Sequence, residues 1–216
     1  MNLKKDAEAF FNSFLSNHVV LYVGQNTRDD EIREYISKCS WSGIITSRRD
    51  PELAALFENE SRTLREFSSR AEIPVKPLNR KKLPILRLFG VQGEQQEDED
   101  LSWLRTSAKK TSTPGYDMDR ARDMLKLLPE LLDHINPLVI IGADSDIDWK
   151  LFGEELAHLL FTATSDGSVS IWGMPASVGP EYAEAYEILK KVAERKKFGF
   201  HETSLVDVIC SRAEVP

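Results

Sequence analysis

Val19-Val20-Leu21-Tyr22-Val23-Gly24 is the stretch that decides the fold. Its residues are β-branched or aromatic and show no polar alternation. The strand they predict is therefore buried on both faces, as in a parallel sheet covered by helices on each side. It stops at a glycine, where a chain turns sharply or lets a ligand approach its backbone at the carboxyl end of a strand. The design recurs along the chain in Gly43-Ile44-Ile45-Thr46-Ser47, Leu83–Gly90, Leu138–Gly142 and Val169–Gly173. Four of these five runs end at a glycine, namely Gly24, Gly90, Gly142 and Gly173.

Helical spacing fills the intervals. Ala7, Phe10, Phe11, Phe14 and Leu15 form one apolar stripe, and further helices are predicted over Glu31–Lys38, Leu53–Phe67, Asp119–Ile135, Trp149–Leu160 and Glu181–Lys197. Pro129 kinks or restarts the third of these. Phe198–His201 reads as a sixth strand, with Ser204 and Asp207 as a capping box beyond it. Strands alternating with helices predict an α/β fold: a Rossmann-like, mostly parallel, doubly wound sheet with flanking helices.

At 216 residues and 41% hydrophobic content, the chain suffices for one sizeable core, so it reads as a single domain over 1–216. It also reads as the N-terminal part of a longer protein. The 28 basic residues against 35 acidic ones leave a net charge of −7, a balance that repels nucleic acid and anionic membrane. Arg80-Lys81-Lys82, Lys109-Lys110 and Arg195-Lys196-Lys197 are local basic spots and read as solvated faces. The start is amphipathic, unlike a secretion signal, and the apolar runs are strand-sized, so a cytoplasmic chain without a membrane span is expected. Cys39 and Cys210 are too few for a disulfide scaffold, and His18, His134, His158 and His201 share no metal-ligand spacing. No phosphate-binding Gly-x-x-x-x-Gly-Lys loop or Gly-x-Ser-x-Gly elbow occurs. Residues from about 92 to 116 form an insertion: acidic over Glu94–Asp100, then rich in Lys, Ser, Thr, Pro and Gly.

Four landmarks stand in order: Gly24-Gln25-Asn26, Thr46-Ser47-Arg48-Arg49-Asp50, Leu83–Gly90 and Gly142-Ala143-Asp144-Ser145-Asp146-Ile147-Asp148. In that order, the chain resembles sirtuin-like domains of the bacterial defence-associated type. Those domains open with a strand ending Gly-Ala-Gly, followed by strands ending Thr-Thr-Asn-x-Asp, His-Gly and Gly-x-Ser. The resemblance covers roughly Phe10 to Leu160. It implies an NAD-binding crevice, here lined by Gly24, Gln25, Asn26, Thr46, Arg48, Asp50, Gly142, Ser145 and Asp148. It also implies a setting in anti-phage defence.

Against that pattern, the chain departs where chemistry is done. The family's Ala and last Gly of the first turn, small residues beside the phosphates, are Gln25 and Asn26. Its Asn is Arg48, and its general-base His is Phe89, which cannot carry a proton. Only about twenty residues separate Gly24 from Thr46, where the family has a long helical lid. The expectation is a catalytically inactive sirtuin-like domain with no catalytic residue and no cofactor, acting as a binding or assembly module. Its partner would be a protein, other domains of the same protein, or a second copy of itself. The alternative is a nucleotide sensor or hydrolase with an altered site that takes NAD or ADP-ribose, with Arg48 holding a phosphate.

Local readings stand beside these roles. Ser145 and Asp148 also fit a helix capping box, and Asp50 before Pro51 fits a helix cap. Arg48 and Arg49 also fit surface ion pairs. The acidic stretch Glu94–Asp100 and Trp41, Trp103, Trp149 and Trp172 are candidate partner surfaces, with Trp172 the one best suited to the core.

Overall fold

A computed structural model describes residues 19–33, 41–57, 63–68, 82–92, 116–126, 138–163, 170–175 and 177–202. Seven strands lie in one sheet: β1 (Val20–Val23), β2 (Gly43–Thr46), β3 (Thr63–Phe67), β4 (Lys82–Arg87), β5 (Leu138–Ile141), β6 (Ser170–Trp172) and β7 (Gly199–His201). Their order across the sheet is β3-β4-β2-β1-β5-β6-β7, and every pairing is parallel. The chain is a Rossmann-like α/β fold. From β1 the sheet grows one way through β2 and the other way through β5, which makes the β1/β5 junction the point where strand order reverses. Ligands of open α/β sheets bind at the carboxyl ends of such strands.

Alternation along β1 explains the apolar run. Val20 and Tyr22 point into one core, with Ile45, Leu86, Leu138, Ile140 and Ile171. Leu21 and Val23 point into the other, with Ile44, Leu83, Ile85, Val139 and Ile141. Every residue of β1 is at most 1% exposed, as burial of both faces requires. The first core is covered by α2 (Met118–Lys126), α3 (Asp146–Leu151), α4 (Ala157–Ala163) and α5 (Ala183–Lys196). A π-helical stretch, Phe152–Leu156, joins α3 to α4. It seats the Phe152 ring 4.9 Å from that of Tyr22. The second core is closed by Ile32, which follows the single turn α1 (Asp29–Glu31), by Trp41, and by Leu53, Leu56 and Phe57 of a 3-10 helix, Pro51–Phe57.

One element differs in kind from the expectation. Leu53–Phe67 is not one helix: the 3-10 helix ends at Phe57, and Thr63–Phe67 is β3 at the sheet edge, paired with β4. Leu53, Leu56, Phe57, Leu64 and Phe67 fall at helical spacing, which hides the strand. In the fold Leu64 packs on one core and Phe67 on the other. An edge strand with one apolar residue per face has no pattern of its own.

The proposed aromatic anchors are corrected too. Trp41 and Trp149 are at most 2% exposed, because each fills a core position beside the sheet, whereas Trp172, on β6, is in the core as expected. They form no outer surface. Trp103 and Glu94–Asp100 lie outside the described residues, as do the first helix, Pro129, His18, His134, both cysteines, and the Ser204–Asp207 box. The helix expected over Trp149–Leu160 starts earlier, at Asp146, because Ser145 caps it.

Candidate functional site

The carboxyl ends of β1, β2 and β5 bring distant parts of the sequence together. Beyond β1, Gly24 lies against the turn that follows β5. A Cβ on Gly24 would sit 2.3 Å from the Gly142 carbonyl oxygen, and one on Gly142 (φ +57°) would sit 2.1 Å from Thr27 Oγ1. The two turns interlock with no room for a side chain at either glycine. Thr27 Oγ1 lies within hydrogen-bonding distance of the Gly24 and Ile141 carbonyl oxygens, at 2.9 and 3.1 Å.

Three backbone amides of the first turn are engaged inside the chain. Gly24 N–H donates to the Ile141 carbonyl at 2.8 Å and Thr27 N–H to the Gly24 carbonyl at 3.2 Å. Gln25 N–H donates to Asp148 Oδ2 at 3.2 Å. Asn26 is exposed and is not left-handed; among the described residues the only non-glycine with positive φ is Lys197.

Asp148 is the hub of the site. Its side chain is wholly buried, and four donors reach it. Oδ1 accepts from the Tyr22 hydroxyl at 2.7 Å and from Ser47 Oγ at 2.5 Å. Oδ2 accepts from Ser145 Oγ at 2.6 Å and from the Gln25 amide. The Asp148 amide donates back to Ser145 Oγ at 3.2 Å, so the N-cap half of the capping box read from sequence is formed, with Ser145 as N-cap. Burial first, then the charge of Asp148 and the hydrogen bond to it, raise the Tyr22 hydroxyl pKa well above its usual value, so the phenol stays protonated and donates. Tyr22, Ser47 and Asp148 thus join β1, β2 and α3 at one point.

Arg48 makes a second tie. Its Nε donates to Asp50 Oδ2 at 2.7 Å, Nη1 to the Thr27 carbonyl at 2.9 Å, and Nη2 to Asp29 Oδ1 at 2.7 Å. Burial works against its charge, but the bonds to Asp29 and Asp50 outweigh it, and the guanidinium pKa rises. Thr46 Oγ1 donates to the Val23 carbonyl and accepts from the Arg48 amide, both at 3.0 Å. Asp50 serves Arg48 with its side chain, and its carbonyl accepts from Arg87 Nη1 at 2.8 Å. Arg87, fully buried, also pairs with Glu66 of β3.

The predicted residues therefore do converge. Gly24, Gln25, Gly142, Ser145 and Asp148 meet at the β1/β5 junction, while Thr46, Arg48 and Asp50 lie beside it at the end of β2. Asn26 alone has no side-chain bond among those described. Sequence reasoning missed Tyr22, Ser47 and Thr27, all of which hold the junction. A signal for Tyr22 existed: a tyrosine in a strand buried on both faces needs a partner for its hydroxyl. Phe89 is 3% exposed, with its ring 5.0 Å from that of Tyr116, edge to face. The Tyr116 hydroxyl receives Gln25 Nε2.

Among the described residues no cluster of His, Cys, Asp or Glu is arranged to hold a metal ion, and no helix is long and apolar enough to cross a membrane. No family model matches the chain, and no curated protein does.

Proposed function

We propose that the chain is a catalytically inactive sirtuin-like domain that works as a binding or assembly module for a protein partner or for other domains of its own protein. One observation carries the reading. The amide that a nucleotide phosphate would need after β1, that of Gln25, already donates to an internal anion, the Asp148 carboxylate. The neighbouring amides of Gly24 and Thr27 are engaged by carbonyls. Phosphate cradles of this fold work by leaving such amides free.

Two further features support the loss of chemistry. Arg48, at the position where the resemblance has Asn, is held by three acceptors and is not free to activate a sugar or water. Phe89, at the position of the general base, carries no ionisable group and packs in the core.

Thermal melting of the whole chain with and without ADP-ribose tests this reading. A ligand bound only by the native state raises the melting temperature. No saturable rise is expected. A saturable rise would replace the assembly module with a nucleotide sensor.

A further inference from the structure

We infer that the carboxyl ends of β1, β2 and β4 form a socket for a phenol ring. The chain fills it with its own Tyr116, an autoinhibitory plug that a phenol-bearing ligand replaces. The socket is independent of the reading above and holds whether or not the chain is sirtuin-like.

Gln25, Arg49 and Phe89 stand just beyond β1, β2 and β4, and Tyr116 touches all three. Each meets a different part of the side chain. Phe89 packs edge to face with its ring, the centroids 5.0 Å apart. The Arg49 guanidinium lies over the ring, with Cζ 5.4 Å from the centroid. Gln25 Nε2 donates to the hydroxyl. Apolar packing, a cation over the π face and a donor to the polar tip together match a phenol.

The walls of the socket are anchored without the plug. Phe89 is 3% exposed and belongs to the first core. The Gln25 amide donates to Asp148, and the Gln92 amide donates to the Arg49 carbonyl at 2.6 Å. Among the described residues the charge of Arg49 meets this ring and no carboxylate, and its buried Nε makes no hydrogen bond.

Tyr116, by contrast, is held by its side chain. It is half-buried, precedes α2 and makes no backbone hydrogen bond to a described residue. The helix has a start of its own: Asp117 Oδ1 accepts from the amides of Asp119 and Arg120 at 3.0 and 3.1 Å. The ring can therefore swing out while α2 and the sheet stay in place. The space it vacates has the size of a phenol and lies at the strand ends, where open α/β sheets take ligands.

The test is binding of 4-methylphenol to the whole chain, read by melting temperature and by saturation transfer to the ligand protons. Toluene, a ring without the hydroxyl, and 4-methylcyclohexanol, a hydroxyl without the π face, are the controls. In Tyr116→Ala, 4-methylphenol should bind saturably and raise the melting temperature, with both controls at least about fivefold weaker. Tyr116→Phe keeps the ring but loses the Gln25 bond, so the plug is weaker. It should bind 4-methylphenol about fivefold more tightly than the unaltered chain, and it decides the matter if Tyr116→Ala does not fold. Equal affinity in the unaltered chain and both variants would put the ligand elsewhere and overturn the socket. Equal binding of all three compounds, or no saturable binding to either variant, would overturn it too.

Discussion

Ser47 Oγ and Asp148 Oδ1, separated by 101 positions in the chain, lie 2.5 Å apart at the carboxyl end of the sheet. The contact joins the residue after β2 to the first turn of α3, across the β1/β5 junction. The same oxygen receives the Tyr22 hydroxyl, so one buried carboxylate of α3 ties the ends of β1 and β2.

Loss of that carboxylate is the largest single effect expected. Asp148→Ala leaves the Tyr22, Ser47 and Ser145 hydroxyls and the Gln25 amide without this acceptor. Each such orphan costs about 1–3 kcal/mol, and the total should reach about 4 kcal/mol. Urea denaturation measures it. A loss below about 1 kcal/mol would mean that water replaces the carboxylate.

Tyr22→Phe removes one donor and leaves three. The expected loss is about 1 kcal/mol, since the ring and its contact with Phe152 remain. Equilibrium unfolding of this variant beside Asp148→Ala would show whether the hub is cooperative.

Alkaline pH reaches the same bond from another direction. The Tyr22 pKa is raised well above its usual value, by burial first and by Asp148 next. Tyr186 is pushed up to about 12, by burial and then by its bond to Glu202. Tyr182 is also pushed up to about 12, chiefly by its bond to Asp146. A folded pKa above the unfolded one means stability that is complete below about pH 10 and falls as pH climbs through the folded values. Phenolate absorbance of the native chain should therefore lag that of the urea-unfolded chain above about pH 10. Tyr22→Phe should shrink the lag. Coincident curves would contradict it.

Gly24→Ala places a methyl 2.3 Å from the Gly142 carbonyl oxygen, which belongs to backbone and cannot swing away. The variant should lose more than about 3 kcal/mol, as expected for overpacking at a rigid contact. Asn26→Ala, on an exposed side chain two residues later, should change stability by less than about 0.5 kcal/mol. Chemical denaturation of the pair checks both, and similar losses would show that the junction is not tight.

Much of this was legible in the letters. The β1 run announced a strand buried on both faces, and the glycines at strand ends marked where the chain turns. The Ser145–Asp148 spacing announced a capping box. What stayed hidden was pairing across long separations. Nothing local tells that Asp148 also receives Tyr22 and Ser47, because that depends on the order of strands in the sheet. Edge strand β3 was hidden by Leu64 and Phe67, whose spacing fits a helix as well as two faces of a strand. Trp41 and Trp149 looked like surface anchors because a large aromatic carries no address. Their positions beside the sheet are set only by packing.

At the strand ends Asp148 engages the Gln25 amide, the one a phosphate would use. Release of nicotinamide from NAD by the purified chain measures this most directly. No release above a protein-free control is expected, for the unaltered chain and equally for Arg48→Asn. Release that scales with protein concentration and disappears in Asp148→Asn would contradict it.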